Sequence, residues 1–288
     1  MKRIILIGAG ILAFLLTGLL FIKRDAISRL LVQDVTPELA GKQADIILFM
    51  GQSNMSGAGG NAKEAPQVPE GAGYEYKAVT APEALVYLRE PLGEMEHREG
   101  LLDDRDLLKR HGTMASAFVN AYYAETGVPV VAVAASRGSS SMDSWLERLA
   151  GDAIDRLTQC RKHLETHQVS VRHCYMVWMQ GEADANKETP KEEYIAGMQM
   201  LADQMEAAGV EACFLIQIGN HTRQPGHHAE IQQAQLELCQ LDDRIFLASV
   251  LPAQLDDELD EGGVHFSQKA LNLIGEDAGR MAGSVAGN

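Results

Sequence analysis

The stretch "DIILFMGQSNMSGAGG", residues 45–60, decides how the rest of the chain is read. Its first part, Asp45 to Met50, is a short and almost wholly apolar run, the length and composition of a strand buried on both faces. It passes directly into a loop of glycine, serine and asparagine, residue types that permit sharp turns and close backbone approach. Four further runs of the same kind follow: "VPVVAVA" (128–134), "CYMVWM" (174–179), "ACFLIQI" (212–218) and "IFLASV" (245–250). Between them lie helix-like segments near 113–126, 142–167, 191–208, 227–240 and 267–282. Apolar runs alternating with helical patterns predict an α/β fold. The expected form is a three-layer α/β/α sandwich over residues 44–288, with a mostly parallel five-stranded sheet covered by helices on both faces. The region from about 57 to 110, with "AKEAPQVPEGAGYEYKAV" and "LREPLGEMEHREGLLDDRD", reads as one long irregular insertion. A segment of that length in a compact domain either shapes a site or is disordered.

With 288 residues, 46% hydrophobic and 23% charged, the chain can bury a sizeable core. A formal net charge of −15 and a pI near 5.0 mean that a phosphate backbone is repelled on average, which argues against nucleic acid as a partner. Cys160, Cys174, Cys213 and Cys239 stand far apart, with no CxxC or Cys/His spacing suited to zinc. They read as buried free thiols, although disulfides stay open if the domain is exported. His227 and His228 are adjacent, so their rings diverge on a helix, and no metal is expected.

The N-terminus carries its own signal. Met1, Lys2 and Arg3 precede nineteen uncharged residues, Ile4 to Ile22, after which Lys23, Arg24 and Asp25 resume a polar chain. As a helix this run spans roughly 28 Å, about one hydrocarbon thickness. The apolar region of a cleavable signal is shorter and ends in a small-x-small site, which "LLFIKRDA" lacks. Residues 1–25 are therefore expected to be an uncleaved signal anchor, a transmembrane helix, with secretion after cleavage as the alternative. Residues 26–43 read as a partly amphipathic stalk. Basic residues flank both ends of the apolar run, so its orientation is ambiguous, and an extracytoplasmic domain is the expectation.

Ligands of open α/β sheets bind beyond the carboxyl ends of the strands. The first run ends at Gln52, Ser53 and Asn54; the second leads into "ASRGSSSMDSW" with Gly138; the third into "QGEADA" with Gln180 and Glu182. The fourth is followed by "GNHTRQPGHH", and the fifth, after an acidic loop, by "DEGGVHFS" with His265. One sheet edge thus gathers a hydroxyl, glycine-bearing turns, amides, carboxylates and an imidazole, an inventory suited to acyl transfer. Ser53 is a weak nucleophile until a base takes its proton, and histidine, here His265, is the side chain suited to do so near neutral pH. The Ser53 amide, the Gly138 amide and the Gln180 side chain are candidate donors to an oxyanion, with Gln52 and Asn54 as further candidates for substrate contact. Singly, each has a plainer reading: Ser53 as a turn residue, His265 as a loop histidine, Glu182 and Asp184 as helix caps. Their conjunction at successive strand ends favours the chemical one.

"GQSNMSG", "RGSSSMDSW", "WMQGEADA" and "GGVHFSQKA", in that order, resemble the SGNH hydrolase superfamily, and within it the sialate O-acetylesterase-like branch that also holds carbohydrate esterase family 6 acetylxylan esterases. The resemblance covers nearly all of residues 44–285. It implies a flavodoxin-like fold and a serine esterase without metal or cofactor that removes acetyl groups from sugar hydroxyls. By position in the motifs, Ser53 corresponds to the nucleophile, Gly138 and Gln180 to oxyanion donors, and His265 to the base. One departure stands out: the family's acid usually lies three residues before the histidine, and here that residue is Gly262. Glu182 and Asp260 are the leading replacements, with Glu261 behind them. A non-catalytic glycan-binding relative and a lipid or thioester hydrolase are the alternative functions. The α/β-hydrolase elbow G-x-S-x-G is not matched, because Met55 fills its last glycine.

Overall fold

The computed structural model describes residues 32–96 and 110–287. The expected membrane helix, 1–25, lies outside the described residues, as does the beginning of the expected stalk, 26–31. No helix among the described residues is long and apolar enough to cross a membrane. The end of the stalk region packs on the domain: Thr36–Leu39 forms a 3-10 turn with Thr36 and Leu39 buried, and the Val35 N–H donates to the Leu85 carbonyl at 2.9 Å.

The strands are β1 (Gln43–Gly51), β2 (Gly73–Tyr76), β3 (Leu85–Tyr87), β4 (Val130–Ala134), β5 (Ser170–Met179), β6 (Ala212–Ile216) and β7 (Ile245–Ser249). They form one seven-stranded sheet in the order β3-β2-β4-β1-β5-β6-β7. Every neighbouring pair is parallel except β2 and β3. The five expected strands are β1, β4, β5, β6 and β7, and their spatial order is the doubly wound one of flavodoxin-like sheets. Among the described residues the expected strand number is corrected from five to seven, because β2 and β3 lie inside the stretch read as irregular. At four and three residues they are too short to show a periodicity. Partner strands make them: Gly73, Tyr74 and Glu75 pair with Val130, Val131 and Ala132 of β4.

The principal helices are α1 (Ala115–Thr126), α2 (Ala150–Thr166), α3 (Glu182–Asn186), α4 (Lys191–Ala207), α5 (Ala229–Leu241) and α6 (Gln268–Ala286). A π-helical turn at Trp145–Leu149 leads into α2. Side chains alternate across β1, so Ile46, Leu48 and Met50 join Leu157, Leu201 and Leu238 of α2, α4 and α5 in one core. Ile47 and Phe49 join Phe118 of α1 and Ile274 of α6 in the other. Two buried faces explain the unbroken apolar run at 45–50. On α6, Gly275 and Gly279 are one turn apart, and a Cβ at either would come within 2.4 and 2.3 Å of the Met114 and Phe118 carbonyls. Their absence of a side chain lets α6 lie directly on the α1 backbone.

Gly51 closes β1 with φ 134°, and a Cβ there would stand 2.0 Å from the Met179 carbonyl oxygen. Gly51→Ala therefore combines backbone strain with overpacking and should cost about 3 kcal/mol or more. Chemical denaturation measures this; a midpoint equal to wild type would mean that β1 and β5 can part at no cost.

Candidate active site

The turn after β1 is pinned on both sides. The Gln52 N–H donates to the Met179 carbonyl (3.0 Å), and the Arg137 N–H donates to the Gly51 carbonyl (2.8 Å). Within the turn, the Ser56 N–H reaches the Gln52 carbonyl (2.9 Å) and the Ala58 N–H the Ser53 carbonyl (3.0 Å), which leaves the Ser53 side chain half-buried at the strand end. The glycines that follow make room for neighbouring backbone. A Cβ at Gly57 or Gly60 would collide with the Gly112 carbonyl, and one at Gly59 would lie 2.5 Å from the Phe266 carbonyl and 3.0 Å from the His265 Cβ. Gly59 thus admits the histidine loop beside Ser53.

His265 Nε2 lies 3.1 Å from Ser53 Oγ, although 212 residues separate them in sequence. On the other side of the ring, Nδ1 lies 3.2 Å from Asp260 Oδ2. With the carboxylate accepting from Nδ1–H, Nε2 is left as the acceptor for the serine hydroxyl. Asp260 is itself held, its Oδ1 accepting the N–H groups of Val264 (3.2 Å) and His265 (3.3 Å). Burial pushes its carboxyl upward, but those two donors and the His265 ring outweigh this and hold it below the usual range. Gly262 explains why the acid arrives from two residues earlier than expected: a Cβ at 262 would sit only 3.1 Å from Asp260 Oδ1. The carboxylate folds back over the space a side chain would have filled.

The other two carboxylates stand elsewhere. Glu261 is exposed. Glu182 is buried, and its Oε1 accepts from Asn54 Nδ2 (2.7 Å) instead of meeting His265. Desolvation pushes the Glu182 carboxyl up; donors from its own backbone and Asn54, and the charge of His265, oppose the shift. Gln52 and Gln180, both expected near substrate, are committed to the scaffold. Gln52 Oε1 accepts the N–H groups of Gly181 (3.3 Å) and Ala183 (3.1 Å), tying the Ser53 turn to the start of α3. Gln180 is fully buried; one amide hydrogen goes to the Ser140 carbonyl (2.9 Å) and the other to Asp184. Asp184 also accepts the Met142 N–H, so it anchors the start of the segment leading to α2. Gly138 lies half-buried in the loop after β4, directly after the residue whose N–H is bonded to Gly51.

Beside the loop that bears His265 stands a cluster that spacing alone did not suggest. The rings of His221, His227 and His228 lie 5.4–5.8 Å apart, centroid to centroid. The Thr222 N–H donates to the Gly263 carbonyl (3.2 Å), which joins this loop to the one bearing His265. Among the described residues, no group of three or more His, Cys, Asp or Glu side chains is arranged to hold a metal ion. Burial, with the neighbouring rings, lowers the pKa of His221; burial likewise lowers that of His228, against its bond to the Gly219 carbonyl. Both groups therefore bind protons less readily folded than unfolded. Their stabilising contribution is complete above the unfolded value of about 6.5 and is lost as pH falls from there towards the folded values. The melting temperature should drop from pH 7 to pH 5, and His228→Gln should flatten that slope; equal slopes would clear the cluster of responsibility.

A family model described as "Carbohydrate esterase, sialic acid-specific acetylesterase" matches residues 43–283. No curated protein sequence matches the chain. The fold is similar to that of a protein from Arabidopsis thaliana, with a TM-score of 0.61 and 19% identity over 85% of this chain and 98% of the other. Also similar are the psychrotrophic esterase EstA from Pseudoalteromonas sp. (TM-score 0.44, 12% identity, 85% and 100% covered) and Axe2, an acetylxylan esterase from Geobacillus stearothermophilus (0.47, 12%, 82% and 92%). The likeness to the Arabidopsis protein shows the fold.

Proposed function

The chain belongs to the carbohydrate esterases described as sialic acid-specific acetylesterases, and from that membership we propose that it is a serine esterase that removes O-acetyl groups from sialic acids. The observation that carries the reading is the unbroken chain of contacts from Ser53 Oγ through His265 to Asp260. His265 Nε2 takes the hydroxyl proton as Ser53 Oγ attacks the acetyl carbonyl. The N–H groups of Ser53 and Gly138 receive the negative oxygen of the tetrahedral intermediate. His265 returns the proton to the departing sugar oxygen, leaving an acetyl ester on Ser53. Water, deprotonated by the same ring, attacks this ester; as the bond from the acetyl carbon to Ser53 Oγ breaks, the ring returns the proton to Oγ, which frees acetate and restores the serine. Asp260 holds the imidazole in the tautomer that both half-reactions need and offsets its charge. No cofactor or metal enters this scheme.

Asp260 also supports catalysis over a purely glycan-binding role, because the acid absent at Gly262 is supplied two residues away. Residues 4–22 are proposed to anchor the chain in a membrane with the esterase domain outside the cytoplasm, on the strength of their uncharged length. The test joins two measurements on the full chain. A fluorophosphonate probe should add to one residue, mapped by mass spectrometry to Ser53. Acetate release should be faster from O-acetylated sialic acid than from acetylated xylo-oligosaccharide. Preference for the xylo-oligosaccharide would transfer the substrate to xylan; no adduct and no acetate would leave only glycan binding.

A further inference from the structure

We propose that Asn54 is the positioning residue that sets the distance between nucleophile and base, and that Glu182 holds the Asn54 amide in the orientation this requires; the proposal rests on the Ser53–His265 reading above. Asn54 follows Ser53 directly and is 1% exposed. Its Nδ2 donates to the Val264 carbonyl (3.1 Å), and its Oδ1 accepts the Phe266 N–H (3.2 Å). Those two groups belong to the peptide units on either side of His265. One side chain therefore grips the backbone of the base before and after its ring, from the residue next to the nucleophile. A separation of 212 residues becomes a local distance across a single amide.

The amide can work in only one orientation. Its second Nδ2 hydrogen goes to Glu182 Oε1 at 2.7 Å. Flipping it would set Oδ1 against the Glu182 carboxylate and the Val264 carbonyl, and Nδ2 against the Phe266 N–H, replacing three bonds by three repulsive contacts. Since both Nδ2 hydrogens are engaged, the Asn54 side chain has no donor left for substrate.

Glu182 is otherwise costly. It is 3% exposed, and its Oε2 is buried with no hydrogen-bond partner among the described residues. A buried carboxylate satisfied on one oxygen destabilises a fold relative to a well-packed neutral residue. What it contributes is an acceptor that fixes Asn54 and a negative charge facing the ring of His265, whose attraction is one cause opposing the upward push of burial on Glu182.

The experiment uses the full chain carrying Asn54→Asp, Glu182→Gln, both of these, or Glu182→Met, with p-nitrophenyl acetate kinetics and the rate of fluorophosphonate labelling of Ser53. Asn54→Asp keeps the acceptor for Phe266 and loses both donors. It should lower kcat about 100-fold with KM changed less than about twofold, the effect of displacing a reacting group by about an ångström. Adding Glu182→Gln should recover about tenfold, because the amide introduced at position 182 can donate to the carboxylate introduced at position 54. Glu182→Gln alone keeps the acceptor for Asn54 and should leave kcat within about threefold of wild type, whereas Glu182→Met removes that acceptor, lets the amide turn and should lower kcat about tenfold with KM little changed; this pair remains informative if Asn54→Asp does not fold. Wild-type hydrolysis with kcat intact in Asn54→Asp, or equal kcat in Glu182→Gln and Glu182→Met, overturns the proposal. Absence of wild-type hydrolysis, with fluorophosphonate labelling of Ser53 that still slows in Asn54→Asp, would overturn the esterase reading and leave the clamp standing.

Discussion

Ser53→Ala should lower kcat for acetyl-ester hydrolysis about 10⁶-fold, the scale at which losing the nucleophile of a serine hydrolase leaves only binding and oxyanion stabilisation. The fold should barely notice. The bond of the Ser53 hydroxyl is to His265 Nε2, whereas the turn is held by backbone bonds to Met179 and by neighbouring side chains. Removing one partly exposed hydroxyl bond costs about 1 kcal/mol. Loss of turnover with an unchanged melting temperature would separate chemistry from stability at one atom. Turnover that survives would require another nucleophile, and the fluorophosphonate adduct would then map to a different residue.

The second large effect is expected at the acid. Asp260→Asn preserves shape but can donate to His265 Nδ1, which turns the ring's other nitrogen into a donor facing Ser53. A buried acid of this kind is worth about 10⁴ in kcat. The Asp260 side chain is 40% exposed, so water can take over part of its role, and a loss of about 10³-fold is expected. A relocation test goes further. Gly262 does not have a positive φ, and the three heavy atoms nearest to a Cβ there belong to Asp260. Asp260→Gly combined with Gly262→Asp should therefore recover at least about tenfold over Asp260→Gly alone, by placing a carboxylate three residues before His265. A double variant no better than the single one would mean that the loop, with its Gly263 N–H bonded to the Asp260 carbonyl, cannot present position 262 to the ring.

How much of this is legible in the residues depends on whether the cause is local. β1, β4, β5, β6 and β7 are buried on both faces, so each prints itself as an unbroken apolar run. β2 and β3 owe their existence to pairing on β4 and have no comparable run. Ser53 and His265 are identifiable because a hydroxyl at a strand end and a histidine in a glycine turn are recognisable types in recognisable places. The choice among Glu182, Asp260 and Glu261 is not, since it depends on a tight loop that brings Asp260 under His265 and on burial that turns Glu182 towards Asn54. Gln180 resembles an oxyanion donor by position. Ser140 and Asp184, which take its two hydrogens, reach it only in three dimensions. Asn54 stands out in sequence as a polar neighbour of Ser53, while its grip on Val264 and Phe266 depends on a loop more than two hundred residues away.

The docking of α6 on α1 has a consequence for timing. The Ser53 turn, the sheet and most of the covering helices all precede in sequence the segment that carries Asp260 and His265. That segment runs straight into α6, which lies on α1 through Gly275 and Gly279 and is capped by the Ser267 hydroxyl. Until it is synthesised, Ser53 lacks its imidazole partner. On the esterase reading proposed above, the growing chain stays unreactive towards acetyl esters until its C-terminal segment is added.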